Sequence, residues 1–204
     1  MIEFTPVVVA FLTGVAGPVA VLLVRNYMEK KNAKRDMVTD AVEVGNLITL
    51  KIESIKDEVK ADRVWITQFH NGGHFYPTGK SIAKFSIFYE TVSSNTNSIQ
   101  SNFQNIPVNL FTKSINELLE SEMIAIPDYK DDEIATYGLK YIAQDTGCKS
   151  GYLFAIKTID GRFIGTLGVD YTKRKTKLDE DTLNHLLNHA TALGGVLLTH
   201  LNKK

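Results

Sequence analysis

The stretch from Arg63 to Glu90 constrains the fold more than any other part of this sequence, because it reads as strand, glycine-rich turn and strand. Strand-forming residues up to Phe69 are followed by His-Asn-Gly-Gly-His at positions 70–74, and a second strand-like run extends from Ile82 to Val92. Two adjacent glycines and an asparagine admit positive φ, so backbone amides can approach another group closely. We therefore expect a site-forming loop at residues 70–80.

A second pair of strands is predicted near the end of the chain. Residues 151–158 and 162–171 are rich in strand formers, and Asp160-Gly161 between them is a strong hairpin signal. Helical patterns cover roughly 30–61, 109–119, 131–145 and 178–201, and a short strand precedes Pro127. This order predicts an α+β domain whose antiparallel sheet is flanked by helices.

The N-terminal segment Val7–Val24 contains no charged residue. As a helix it would span about 27 Å, enough for a bilayer core. A basic segment, Arg25–Arg35, follows it, which predicts a single-pass inner-membrane protein with its N-terminus outside, its C-terminal domain cytoplasmic and lipid as one partner. A buried helix or a helix plugging a protein channel are the alternatives. The predicted organisation is an anchor at 1–25, a juxtamembrane basic segment and amphipathic helix at 26–61, and a domain at 62–204 whose flanking helix begins near residue 38.

Apolar residues recur at alternating spacings of three and four in the helix before the domain and again in the last helix. This heptad-like pattern fits a helix packed on its own domain, a coiled coil shared by two subunits, or both. We expect a homodimer formed through these flanking helices. The predicted interface residues are Val38, Ile48, Ile52, Ile55, Val59, Leu186, Leu193 and Leu197.

From about Val38 to Leu201 the chain resembles the GAF domain, a small-molecule-sensing and dimerisation fold. Residues 63–72, 122–135 and 152–193 carry the resemblance, including Gly165 and Gly168 of a G-x-L-G strand. The run 69–73 is also similar to GAF-like proteins of tailed phages and prophages. The resemblance implies a ligand between the sheet and the helices and loops above it. The residues carried over to that ligand site are His70, Asn71, Gly72, Gly73, Tyr76, Asp128 and Tyr137.

The sequence departs from the specialised members of that family. The cyclic-nucleotide signature is not visible, Cys148 is the one cysteine, and Lys149 follows it where bilin-attaching domains have histidine. We therefore expect no cofactor.

Catalytic and metal motifs are also missing. His70 and His74 flank two glycines without an obvious third ligand, and Leu186 stands where a zincin-type helix would place glutamate between His185 and His189. The chain has no phosphate-binding glycine motif and no nucleophile elbow. Its net charge of zero argues against a nucleic-acid partner.

We therefore expect a non-catalytic, membrane-anchored sensor or adaptor that binds a small molecule or a protein partner. The alternative is a ligand-free structural or host-interaction protein of phage origin that uses the fold for assembly.

Overall fold

The computed structural model describes residues 12–32, 37–75, 77–131 and 139–201. The chain divides into two units, Met1–Asp40 and Ala41–Lys204. The first unit contains a short π-helical segment, Leu12–Ala16, and helix α1, Gly17–Asn32. Helix α2, Met37–Val59, crosses the boundary and leads into the sheet of the second unit.

The predicted membrane anchor is contradicted by this part of the structure. Among the described residues, no helix is both long enough and apolar enough to cross a membrane. Helix α1 has 16 residues. Its apolar part ends at Val24, and the second half of the helix contains Arg25 and further charged residues. Residues 7–11 of the predicted span lie outside the described residues. The predicted inner-membrane localisation is therefore wrong.

The second unit is built on six antiparallel strands in the order β3-β2-β1-β6-β5-β4. The strands are β1 Arg63–His74, β2 Ser81–Val92, β3 Ile106–Pro107, β4 Met123–Ile126, β5 Ser150–Lys157 and β6 Phe163–Tyr171. The helices are α3 Thr112–Ser121, which follows a 3-10 turn at Val108–Phe111, α4 Leu139–Asp145 and α5 Glu180–Leu201. The predicted α+β class with an antiparallel sheet flanked by helices is confirmed.

The two faces of the sheet follow from the two-residue period of its strands. In β1, Val64 and Ile66 are fully buried in one apolar cluster, whereas Trp65 packs against a second one. Helices α2 and α5 cover the first face, which we call the filled face. Its fully buried residues include Ile48, Ile52, Ile55, Phe154, Ile156, Leu167, Leu186, Ala190, Leu193 and Leu197.

Most of the apolar helix residues that predicted a dimer interface pack against the sheet of the same chain. Six of the eight predicted interface residues have at most 1% of their surface exposed and belong to the filled face: Ile48, Ile52, Ile55, Leu186, Leu193 and Leu197. Their assignment to a contact between two chains is therefore revised, because the sheet and the facing helix already cover them. Val59 is partly buried against the same cluster, and Val38 is exposed. Homodimer formation itself stays a prediction.

The predicted loop at residues 70–74 is the end of a strand. Strand β1 continues to His74, and Asn71 still pairs with Ala83 of β2 before an irregularity in the register. The turn comes later, where the Phe75 amide donates to the Lys80 carbonyl. Gly72 lies directly against the Lys84 side chain, and the positive φ of the pair belongs to Gly73.

Candidate functional site

A cavity lies between the second face of the sheet and helices α3 and α4. Its volume is about 80 Å³, and its wall is mostly apolar. The sheet contributes side chains from β1, β2, β5 and β6, while the two helices close the opposite side. The apolar lining includes Phe69, Phe85, Ile87, Phe111, Ile115, Leu118, Leu139, Ile142, Ala143 and Leu153. We call this side of the sheet the cavity face.

One end of the cavity is polar, because a buried ion pair forms part of its wall. Arg63 and Asp170 are 1% and 4% exposed and stand opposite each other in the register of β1 and β6. The Arg63 Nε and Nη2 atoms lie 2.8 and 2.7 Å from Oδ2 of Asp170. The Trp65 indole donates to the same oxygen at 2.9 Å, and Arg63 also donates to the Asn97 carbonyl. A buried charge pair needs such hydrogen bonds to offset its lost hydration.

Two glycines make room for the aromatic residues of this polar end. A side chain at Gly168 would overlap the Trp65 ring, which lies directly across the strand pair. A side chain at Gly151 would come within 2.6 Å of the Tyr129 hydroxyl oxygen. The G-x-L-G pattern at 165–168 therefore has a physical role, since it lets an indole lie flat on β6.

Tyr129 and Cys148 complete the wall beside the ion pair, and both are buried. Burial raises the pKa of the Cys148 thiol, and the neighbouring Asp170 charge raises it further. Burial likewise raises the pKa of the Tyr129 phenol well above its ordinary value, with Asp170 again adding to the effect. Both groups are therefore neutral, and the Cys148 thiol is not an activated nucleophile.

The predicted ligand residues on β1 do not line this cavity. The His70 Nε2 atom shares a hydrogen bond of 2.9 Å with the Ser86 hydroxyl, and the ring packs edge-on against Phe88. Asn71 and Gly73 are exposed at the outer end of the same hairpin, and Gly72 is half-buried against Lys84. These four residues form the hairpin end that begins at His70, beyond the last cavity residue of β1, Phe69.

The other predicted ligand residues divide into two groups. Asp128 lines a second pocket of about 520 Å³, which shares Tyr129, Ala143 and Cys148 with the wall of the cavity. It pairs with Lys175, and that hydrogen bond lowers the pKa of its carboxyl group. Tyr76 and Tyr137 lie outside the described residues.

The charged residues that reach the cavity, Arg63 and Asp170, were visible in the sequence as charges at the ends of two apolar strands. A charge at such a position is rarely buried without a partner. The pairing of β1 with β6 was the missing information, because it places these two positions opposite each other.

Comparison with known proteins identifies the architecture. No protein-family profile and no curated protein matches the sequence. Among solved structures, a far-red cyanobacteriochrome photoreceptor superposes with a TM-score of 0.60 at 16% identity, covering 89% of this chain and 99% of that chain. A phycocyanobilin-bound GAF domain from a cyanobacterial phytochrome gives 0.61 at 18% identity, covering 81% and 91%. The fold is that of a GAF domain.

A third structure agrees, the blue-light-absorbing form of the Thermosynechococcus elongatus PixJ GAF domain. Its TM-score is 0.61 at 12% identity, covering 80% of this chain and 89% of that chain. At such low identity the likeness concerns the fold, and the chemistry of this GAF-like domain must be argued from its own residues.

Proposed function

We propose that the GAF-like domain of this chain is a sensor module that binds a small molecule on the cavity face and has no catalytic activity of its own. The observation that carries the proposal is the apolar cavity with one polar end between the sheet and helices α3 and α4. Binding sites for small molecules are mostly apolar with a few convergent polar groups, and this cavity has that composition.

The size of the cavity restricts the ligand. An apolar protein cavity of about 150 Å³ binds benzene, and the volume here is about 80 Å³. The proposed ligand is therefore a compact, largely apolar molecule, and a single ring fits once a lining side chain moves. A bilin, such as the phycocyanobilin bound to the GAF domain of the cyanobacterial phytochrome, is far larger than this space.

The polar end supplies orientation. Arg63 and Asp170 already satisfy each other, so a ligand carrying a full charge would have to compete with a buried ion pair. A neutral ligand with one hydrogen-bonding group fits better, because the Thr67 and Thr166 side chains also line the cavity. Ligand binding would then be reported by a change in the packing of α3 and α4 against the ligand.

The single tryptophan provides the test, since Trp65 lines the cavity and donates to Asp170. We would record native mass spectra of the purified full chain to find retained small molecules. Trp65 fluorescence would then be titrated with those molecules and with a panel of single-ring compounds. Saturable fluorescence changes with one ligand per chain are expected.

A matched pair of variants locates the binding. Ala143→Val fills part of the cavity and should weaken binding at least tenfold, whereas Ala190→Val, a change of equal size on the filled face, should leave the affinity unchanged. If no compound is retained and none alters Trp65 emission, the sensor proposal fails. The ligand-free assembly module then becomes the better interpretation.

Two further expectations stay predictions. Homodimer formation would now have to use exposed positions, such as the exposed apolar residues Val42, Leu47 and Leu50 on α2. A relation to phage proteins rests on the 69–73 run alone. Light scattering of the full chain addresses the first of these.

A further inference from the structure

A cluster of two imidazoles and one carboxylate lies on the filled-face side, away from the cavity. His185 and His189 are one turn apart on α5, and Glu58 comes from the last turn of α2. The His185 Nε2 atom lies 2.8 Å from Oε1 of Glu58, and the His189 Nε2 atom lies 3.3 Å from Oε2. The two imidazole rings are 4.5 Å apart between centroids and meet edge to face.

The sequence concealed this cluster, because its third member is more than a hundred residues from the other two. A histidine pair at i and i+4 shares one helix face, but without an acidic residue in the same helix it resembles a solvated pair. The fold supplies the acid by packing the end of α2 beside the first half of α5, so that both side-chain oxygens of Glu58 face the two rings.

We propose that Glu58, His185 and His189 bind a divalent transition-metal ion, with zinc as the best-matched metal. The candidate ligand atoms all lie within 4.8 Å of one another. Tetrahedral zinc with ligands at about 2.0–2.1 Å separates neighbouring ligand atoms by about 3.3 Å, so only small side-chain movements are needed. Two imidazoles and one carboxylate are a known zinc donor set that leaves a fourth position for water.

The surroundings of the cluster permit metal entry. The side chains of His185 and Glu58 are 52% and 43% exposed, whereas that of His189 is 13% exposed. Solvent can therefore reach the fourth coordination position, and the more buried imidazole gives the ion one well-positioned ligand. Lys51 places a positive charge near His189, which opposes cation binding and lowers the expected affinity.

The bound ion would join α2 to α5, the two helices that cover the filled face. Each helix already packs on the sheet, and the ion would add a direct bond between them near the end of α2. A metal ion that binds the folded chain but not the unfolded chain stabilises the folded state by mass action. The proposal is independent of the cavity, so it stands or falls separately from the sensor function.

The test uses the full chain freed of metal with a chelator and then titrated with Zn²⁺ alone. We expect one ion per chain by calorimetry and, at a hundredfold excess over Kd, a rise in Tm of roughly 5–10 °C. Co²⁺ as a second probe should give the visible absorption of a low-symmetry, four-coordinate site. His185→Ala and Glu58→Gln should each weaken binding at least tenfold, while His74→Ala, which removes an exposed histidine on the hairpin, should have no effect.

Each Tm shift is measured relative to the metal-free form of the same variant. This comparison separates the effect of metal binding from the stability lost with the Glu58–histidine hydrogen bonds. The proposal is overturned if binding is not saturable, or if His185→Ala and Glu58→Gln bind Zn²⁺ as tightly as the parent chain. Loss of binding in His74→Ala would equally overturn it, since the ion would then belong to the hairpin.

Discussion

The two faces of one sheet are both buried but are built differently. On the filled face, aliphatic and aromatic side chains from β1, β5 and β6 meet α2 and α5, and the fully buried residues form one continuous cluster. On the cavity face, the same strands meet the shorter helices α3 and α4, which leave about 80 Å³ empty beside a buried ion pair. Close packing gives a protein its stability, whereas unfilled space forfeits contacts, and this difference between the faces fits the proposed ligand site.

The largest expected effect is on the cavity face, where a charge is buried with a single counterion. Asp170→Ala should lower the free energy of unfolding by about 3–5 kcal/mol, because Arg63 and the Trp65 indole lose their shared acceptor. Urea unfolding followed by circular dichroism measures this loss. Replacing both charges, in Arg63→Met with Asp170→Leu, should recover much of it.

A loss below about 1 kcal/mol in the Asp170→Ala variant would show that water entering the cavity can solvate Arg63. The polar end would then be an open, hydrated site rather than a closed one, and the contrast between the two faces would be sharper.

A second carboxylate provides a comparison for Asp170 at the end of the same two strands. Asp62 accepts hydrogen bonds from the backbone amides of Thr172 and Lys173 and from the Ser93 hydroxyl. Burial raises the pKa of Asp62, but the hydrogen bonds from Lys173 and Thr172 outweigh burial and hold that pKa below its ordinary value of 3.8. Asp62→Ala should therefore cost about 1.5–3 kcal/mol at pH 7.

The pH dependence of that loss has a defined sign. A carboxylate with a lowered pKa in the folded state contributes its full stability above its unfolded pKa, and the contribution disappears as pH falls through the folded pKa. The difference in unfolding free energy between the parent chain and Asp62→Ala should thus be constant from neutral pH down to about 5 and shrink in more acidic solution. A difference that grows on acidification would contradict the assignment.

Much of the fold was predictable, because periodicity depends on local sequence. The strands around Val64 and Phe154, the Asp160-Gly161 hairpin turn and the apolar seam of α5 were all visible without the structure. The seam did not show whether its partner was a sheet or another chain, since both bury the same stripe. The candidate site was not predictable in this way. The Arg63–Asp170 pair and the Glu58–histidine cluster each join residues more than a hundred positions apart.

Two misinterpretations have a common physical origin. Val7–Val24 predicted a membrane span from its lack of charge, but the helix in this region runs on from Gly17 into the charged residues after Val24. The Gly72-Gly73 pair predicted a loop, although pairing with β2 keeps the backbone in the strand beyond Asn71. In both places the composition of a short segment suggested one structure, but the longer helix or strand to which the segment belongs determined its conformation.

Two buried alanines, one on each face, allow the faces to be compared with the same substitution. Ala190 on α5 is fully buried in the filled face. Ala190→Val adds two methyl groups inside this buried cluster, and overpacking should lower the free energy of unfolding by about 1–3 kcal/mol. Thermal or urea unfolding measures the change, and wild-type stability in this variant would show that the filled face contains unused volume.

Ala143 on α4 is 3% exposed, but it borders the cavity. Valine has a slightly lower helix propensity than alanine, by roughly half a kcal/mol, and this cost applies equally to both variants. In Ala143→Val the added methyl groups enter empty space and gain contacts, so the net change in unfolding free energy should be within about 0.5 kcal/mol of zero. If Ala143→Val is as destabilising as Ala190→Val, the two faces are packed alike, and the void on which the sensor proposal rests is not available to a ligand. If Ala143→Val retains stability but loses binding, the cavity face exchanges packing for ligand recognition.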